Sequence, residues 1–200
     1  MISIRLTIFL LLFTITLQAQ EKSDLSIFQS FMKYAKAEKI KEITNGKRIA
    51  AIARFFVNTP YVGNTLEADG PERLQVNLRG LDCTTFVENV LALNLTLDAA
   101  NQDFDTFKSK LKFIRYRDGV LNGYPSRLHY TTDWIFNNQK KGLMKIVSTG
   151  GKSSAFSLKV GYMSTHPASY PALKNNPDFV KKIADQENCI NQLSFKKKKK

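Results

Sequence analysis

Apolar residues recur at steps of three and four through Leu78–Leu97, LRGLDCTTFVENVLALNLTL, where Phe86, Val87, Val90, Leu91 and Leu97 share a stripe flanked by Leu93 and Leu95. That period predicts an amphipathic helix with Cys83 in its first turn, behind a Gly-Leu-Asp turn. The same spacing at Leu25, Ile27, Phe28, Phe31, Met32, Ala35 and Ala37 predicts a helix over Asp24–Lys39 capped by Ser23 or Asp24. Lys47–Val57 predicts another, following the Asn45-Gly46 break and stopping before Thr59-Pro60, because a residue preceding proline is pushed out of the helical region. Val62–Val76 reads as a loop or a short strand pair, and Asn101–Lys112 as a helix. Phe113–Tyr116 follows as a short strand closed by Asp118-Gly119. Tyr124–Tyr130 is irregular. Asp133–Gln139 predicts a short helix capped by Thr132 or Asp133 and stopped at Gly142. Phe156, Leu158, Val160 and Tyr162 alternate with polar or small residues, the period of a half-buried strand. The tail is helical around Asp178–Gln186.

Two hundred residues, 43% of them apolar, suffice for one domain with a substantial core. The first stretch stands apart: Arg5, an apolar run from Leu6 to Leu17 and then Gln18-Ala19-Gln20 have the form of a secretory signal peptide cleaved after Ala19. No cysteine follows the cleavage point, so no lipid anchor is indicated. The expected organisation is a signal peptide over 1–19, one domain over 20–195 and a poly-lysine tail over 196–200, in a monomer exported to a bacterial periplasm without a stable membrane anchor. The net charge is +13, of which Lys196–Lys200 supply five. Such a balance favours anionic partners. No basic helix interleaved with aromatic residues speaks for nucleic acid; for an exported protein the carboxylate-rich cell wall is the more natural polyanion, and a solvated basic surface with no specific partner is the default alternative.

Chemistry is suggested first by Cys83. The unpaired N–H groups and the positive dipole end of a helix favour an anion there, which is how a cysteine nucleophile is activated; a small apolar residue opening a core helix is the plain alternative. Cys83 and Cys189 could instead form a disulfide in an oxidising compartment. A cysteine acting on an amide needs a base, and the chain offers His129 and His166. His129 lies in the polar and aromatic cluster Arg127–Trp134, and His166 in the turn-like Ser164-Thr165-His166-Pro167. His129 is the first choice. Arg127 could hold a substrate carboxylate by its planar fork or simply pair with Asp133; Tyr61, Tyr130 and Trp134 could line a sugar or peptide cleft or belong to the core. Gly150-Gly151-Lys152-Ser153 is not a phosphate-binding loop, because Ile146 occupies the place of its first glycine. Two histidines and two distant cysteines show no zinc spacing, and no metal or other cofactor is expected.

Thr59-Pro60-Tyr61-Val62-Gly63 followed by Leu81-Asp82-Cys83-Thr84-Thr85-Phe86-Val87 resembles the tyrosine turn and Asp-Cys helix start of NlpC-type cell-wall cysteine peptidases. IRYRDGVLNGYPSRLHYTTDWIFNN and GYMSTHPASYPAL are similar, more narrowly, to the N-acetylmuramoyl-L-alanine amidase-like family, over about Ile43–Lys182. The resemblance implies a papain-like α+β fold with a helical N-terminal half and an incomplete antiparallel sheet. It also implies cleavage of the amide between the muramyl lactoyl group and L-alanine in peptidoglycan fragments. Cys83 would match the nucleophile, with Tyr61 and Asp82 beside the substrate. The chain departs from that pattern, which places a catalytic histidine at the start of a strand after the cysteine helix: Pro167 follows His166, and His129 belongs to another block. The expectation drawn from that departure, and from the lysine run, is a chain truncated before its last strands. The alternatives are a catalytically dead protein that binds wall fragments and a cysteine endopeptidase of the stem peptide.

Overall fold

The helical periods largely hold, and the strands largely do not. The computed structural model describes residues 21, 23–67, 70–145, 147 and 159–193, and the backbone of 153–156 and 195–198. The signal-peptide segment lies outside the described residues, as do Leu158 and Gly150, Gly151 and Lys152. The chain divides into two compact units, one of residues 1–67 and 74–114, the other of residues 68–73 and 115–200.

The first unit is helical. Helix α1 covers 23–37, a 3-10 turn covers Ile40–Glu42, and α2 (Asn45–Phe55), α3 (Cys83–Leu97) and α4 (Phe104–Arg115) follow, α4 running to the edge of the unit. The apolar stripes meet in a core of Phe28, Phe31, Ile40, Ile52, Leu93, Phe107 and Leu111. Phe28 packs on Phe104 and Phe107 at ring separations of 5.4 and 5.6 Å, and Phe31 meets Phe55 edge-on at 5.3 Å. Asn45-Gly46 is the first turn of α2 rather than a break before it, since Arg48 of that turn is buried. Its guanidinium takes both carboxylate oxygens of Asp98 (2.8 and 2.5 Å) and the Asn94 Oδ1 at 2.7 Å, tying α2 to the end of α3.

The second unit contains 3-10 turns at Arg117–Gly119, Tyr124–Ser126 and Pro167–Ser169, and helices α5 (Thr131–Lys140), α6 (Tyr162–Thr165), α7 (Pro171–Lys174) and α8 (Pro177–Asn191). Its core gathers Tyr124, Met163, Leu173 and Ile183, with Tyr130, Tyr170, Phe179 and Val180 against them. Gly123 is required where it stands: its φ is +71°, and a β-carbon there would come within 3.1 Å of the Phe179 ring. Helix α8 is longer than the sequence suggests. Pro177 preorganises its first turn and Asn176 caps it, accepting from the Phe179 N–H at 3.0 Å.

The papain-like α+β fold with an antiparallel sheet is overturned. The described chain is mostly helical. Apart from two isolated bridges, its strand pairing is confined to a two-stranded antiparallel ribbon, β1 (Ser153–Phe156) with β2 (Phe195–Lys198). The predicted strand Phe113–Tyr116 fails because α4 runs on to Arg115, leaving Tyr116 a single bridge to Arg127. The predicted strand Phe156–Tyr162 fails at its end. Asn191 of α8 satisfies both backbone groups of Val160 with its side-chain amide, at 2.7 and 2.8 Å, in place of a neighbouring strand. Tyr162 then opens α6.

Candidate active site

Cys83 is the first residue of α3, exposed, with its Sγ 4.0 Å from the Thr84 hydroxyl. The helix begins here because Asp82 and Thr85 form a reciprocal capping box. Asp82 Oδ1 accepts from the Thr85 N–H (2.7 Å) and hydroxyl (2.8 Å), and the Thr85 hydroxyl oxygen accepts from the Asp82 N–H (2.9 Å). With the Thr85 N–H taken, the helix itself leaves those of Cys83 and Thr84 unclaimed, at its positive end. Burial on α3 departs from its apolar pattern: Glu88, Asn89, Asn94 and Thr96 are inside, while Val87 is exposed.

The turn before Cys83 is braced from three directions. Asp24 is not the helix cap its place suggests; it is buried, and its Oδ1 accepts from the Leu78 N–H at 2.9 Å and the Arg79 Nε–H at 3.2 Å. Asn77 Oδ1 accepts from the N–H groups of Arg79 (3.0 Å) and Gly80 (3.2 Å), an Asx turn, and the Asn89 amide donates to the carbonyls of Asn77 and Thr85. Leu81 donates to the Pro60 carbonyl (3.0 Å) and accepts from the Val62 N–H (3.1 Å), which lays Tyr61 alongside as a parallel bridge. Position 80 admits only glycine without rearrangement, because a β-carbon would stand 2.6 Å from a Val62 methyl. Tyr61, Asp82 and Cys83 are thus brought together. Tyr61 is 77% exposed, so its ring is presented to solvent rather than to the core.

The other sequence-predicted site residues lie in the second unit. Arg127 is buried, with its Nε 3.4 Å from the Glu72 carboxylate and its guanidinium 4.9 Å above the Tyr124 ring. Its expected partner, Asp133, pairs instead with Arg117. Tyr130 donates its hydroxyl to Glu187 Oε1 at 2.6 Å; burial, then Glu187, push its pKa up to about 12. The buried Glu187 carboxylate also accepts from the N–H groups of Met163 (3.1 Å) and Ser164 (3.2 Å) and from the Ser164 hydroxyl, so Tyr130 belongs to a knot that fastens α6 to α8. Trp134 is 8% exposed and sits in the core. His129 donates from Nε2 to the Tyr124 carbonyl (2.9 Å), a partner that places the proton on that nitrogen, and its ring lies 4.4 Å from that of Tyr124. Burial, reinforced by Arg127, lowers its pKa to about 3. His166 is exposed and stacks on Tyr162 at 4.2 Å. Cys83 and Cys189 are both exposed and free thiols.

Sequence reading missed Asp24, Asn77, Gly80 and Asn89. The Asx turn had a signal in Asn-Leu-Arg-Gly; the Asp24 and Asn89 contacts span 54 and 12 residues and had none.

No curated protein matches the chain. Among solved structures, an N-acetylmuramoyl-L-alanine amidase from Bacteroides uniformis is 40% identical over 74% of this chain and 62% of its own, with a TM-score of 0.69. A Bacteroides fragilis protein named as a candidate xylanase is 41% identical over 72% and 63%, with a TM-score of 0.66. A Legionella pneumophila protein, 22% identical over 90% and 62% with a TM-score of 0.56, shares the fold. The chain therefore spans less than two thirds of the length of these structures. The AmiA-like pattern, described as N-acetylmuramoyl-L-alanine amidase-like, matches residues 51–200, three quarters of the sequence including all of the cysteine helix, and the chain belongs to that family.

Proposed function

We propose that this protein is an exported cysteine amidase that hydrolyses the amide between N-acetylmuramic acid and L-alanine in peptidoglycan fragments. The observation that carries this reading is the exposed Cys83 at the first position of a capped helix, in a chain of the amidase-like family. The sulfur of Cys83 attacks the lactoyl carbonyl carbon, and the N–H groups opening α3 receive the negative charge that develops on its oxygen. The C–N bond breaks as the proton given up by the Cys83 thiol passes to the leaving nitrogen, and the peptide departs as its free amine. Water then hydrolyses the thioester, releasing the lactoyl carboxylic acid and restoring the thiol. Tyr61, exposed beside this turn, supplies an amphipathic face for the substrate. We do not assign the base to His129: a pKa near 3 and an Nε2 proton committed to Tyr124 make it a weak proton acceptor at neutral pH, and we assign it to holding the Tyr124 turn.

Incubation of the purified chain with muramyl peptides tests the reading. Release of a peptide beginning with L-alanine, lost in Cys83→Ala, is the expected result. Cleavage beyond D-glutamate would identify a stem-peptide endopeptidase, and saturable binding without turnover a binding module. Full turnover by Cys83→Ala would remove the cysteine mechanism. Export rests on the signal-like residues 1–19 and predicts secreted material whose N-terminal residue is Gln20.

A further inference from the structure

We propose that Arg79 is the carboxylate-recognising residue of the Cys83 site and that Asp24 is the buried anchor holding it; the inference rests on the amidase reading and names one part of the substrate. Asp24 is 2% exposed and Arg79 37%. A buried carboxylate is costly unless paired, and Asp24 is paired with the Arg79 Nε–H and the Leu78 N–H through one oxygen. Anchoring through Nε leaves the two terminal nitrogens as a fork, and among the described residues they have no partner. A planar fork with its stem fixed is the preorganised form of a carboxylate receptor, because little side-chain freedom remains to be lost on binding.

The backbone under Arg79 is fixed as well. Asn77 holds the N–H groups of Arg79 and Gly80, and Gly80 abuts Val62. Arg79 stands four residues ahead of Cys83, a stretch that spans at most about 14 Å when extended. The substrate places a carboxylate within that range. The acidic residue that follows L-alanine in the stem peptide carries it a few bonds from the scissile amide. The sequence offered Arg127 for this duty, but that guanidinium is buried against Glu72 and Tyr124.

The test compares two muramyl dipeptides blocked at the γ-carboxyl, one with the D-glutamate α-carboxylate free and one with it converted to the neutral amide. The wild-type chain is expected to favour the acid by on the order of tenfold in kcat/KM, mainly through KM. Arg79→Gln is expected to lose most on the acid substrate, so that the ratio of kcat/KM for acid over amide falls toward one. Asp24→Asn, which keeps an acceptor for Leu78 but gives up the charge, weakens the preference in the same direction, and Arg79→Lys restores part of it. An active Arg79→Gln enzyme that still prefers the acid overturns the assignment alone, as does a wild-type enzyme with no preference. A wild-type chain that cleaves neither dipeptide overturns the amidase reading and the assignment together.

Discussion

His129 carries its proton on the nitrogen that faces Tyr124, and burial keeps the rest of the ring neutral. Its folded pKa lies near 3 against an ordinary 6.5, so below pH 6.5 the unfolded chain takes up a proton that the folded chain refuses. The stability this residue supplies is complete above pH 6.5 and drains away as pH falls toward 3. Urea midpoints measured at pH 7 and pH 4.5 are expected to drop with acid in the wild type and to drop less in His129→Gln. Nothing in the local sequence signals this neutral ring. Arg127-Leu128-His129-Tyr130 reads as a polar surface cluster, and only the fold reveals that Arg127 and Leu128 are inside.

Among elements, α3 was legible from the sequence because everything that starts it is local. Asp82 and Thr85 are three residues apart, and the apolar period follows at once. The same locality misled elsewhere. Alternation over Phe156–Tyr162 looks like a strand, yet the backbone of Val160 goes to the side chain of Asn191, 31 residues on. Ser164-Thr165-His166-Pro167 looks like a turn, but its first part is the helix α6, whose opening N–H groups Glu187 collects. That carboxylate is where α6 and α8 are joined, and its removal leaves several donors without an acceptor. Glu187→Ala is expected to cost about 3 kcal/mol and Tyr130→Phe about 1 kcal/mol, read from denaturant midpoints. Equal losses in the two variants would mean that the Tyr130 hydroxyl, not the carboxylate, carries the joint.

At the scale of the whole molecule, the charge balance carries its own prediction. Thirteen net positive charges on a protein of a peptidoglycan-amidase-like family suit an acidic polymer, and attraction of this kind is screened by salt. Binding to intact, carboxylate-rich cell wall is expected to weaken as ionic strength rises from 50 to 500 mM, while turnover of small soluble muramyl dipeptides changes far less. Equal salt dependence for both would place the attraction at the cleavage site itself. Among the described residues no helix is long and apolar enough to cross a membrane.

The brace around the cysteine turn also carries an expectation about the order in which it forms. The capping box closes over three residues, whereas the Asp24 contact closes over 54. Local contacts form first because little chain must be gathered to make them. On refolding, α3 is expected to form ahead of the Asp24 contact, and hydrogen-exchange labelling that shows α3 and the Leu78 N–H protected at the same rate would refute that order. The Cys83 thiol is therefore expected to be seated on its capped helix before Asp24 completes the turn ahead of it.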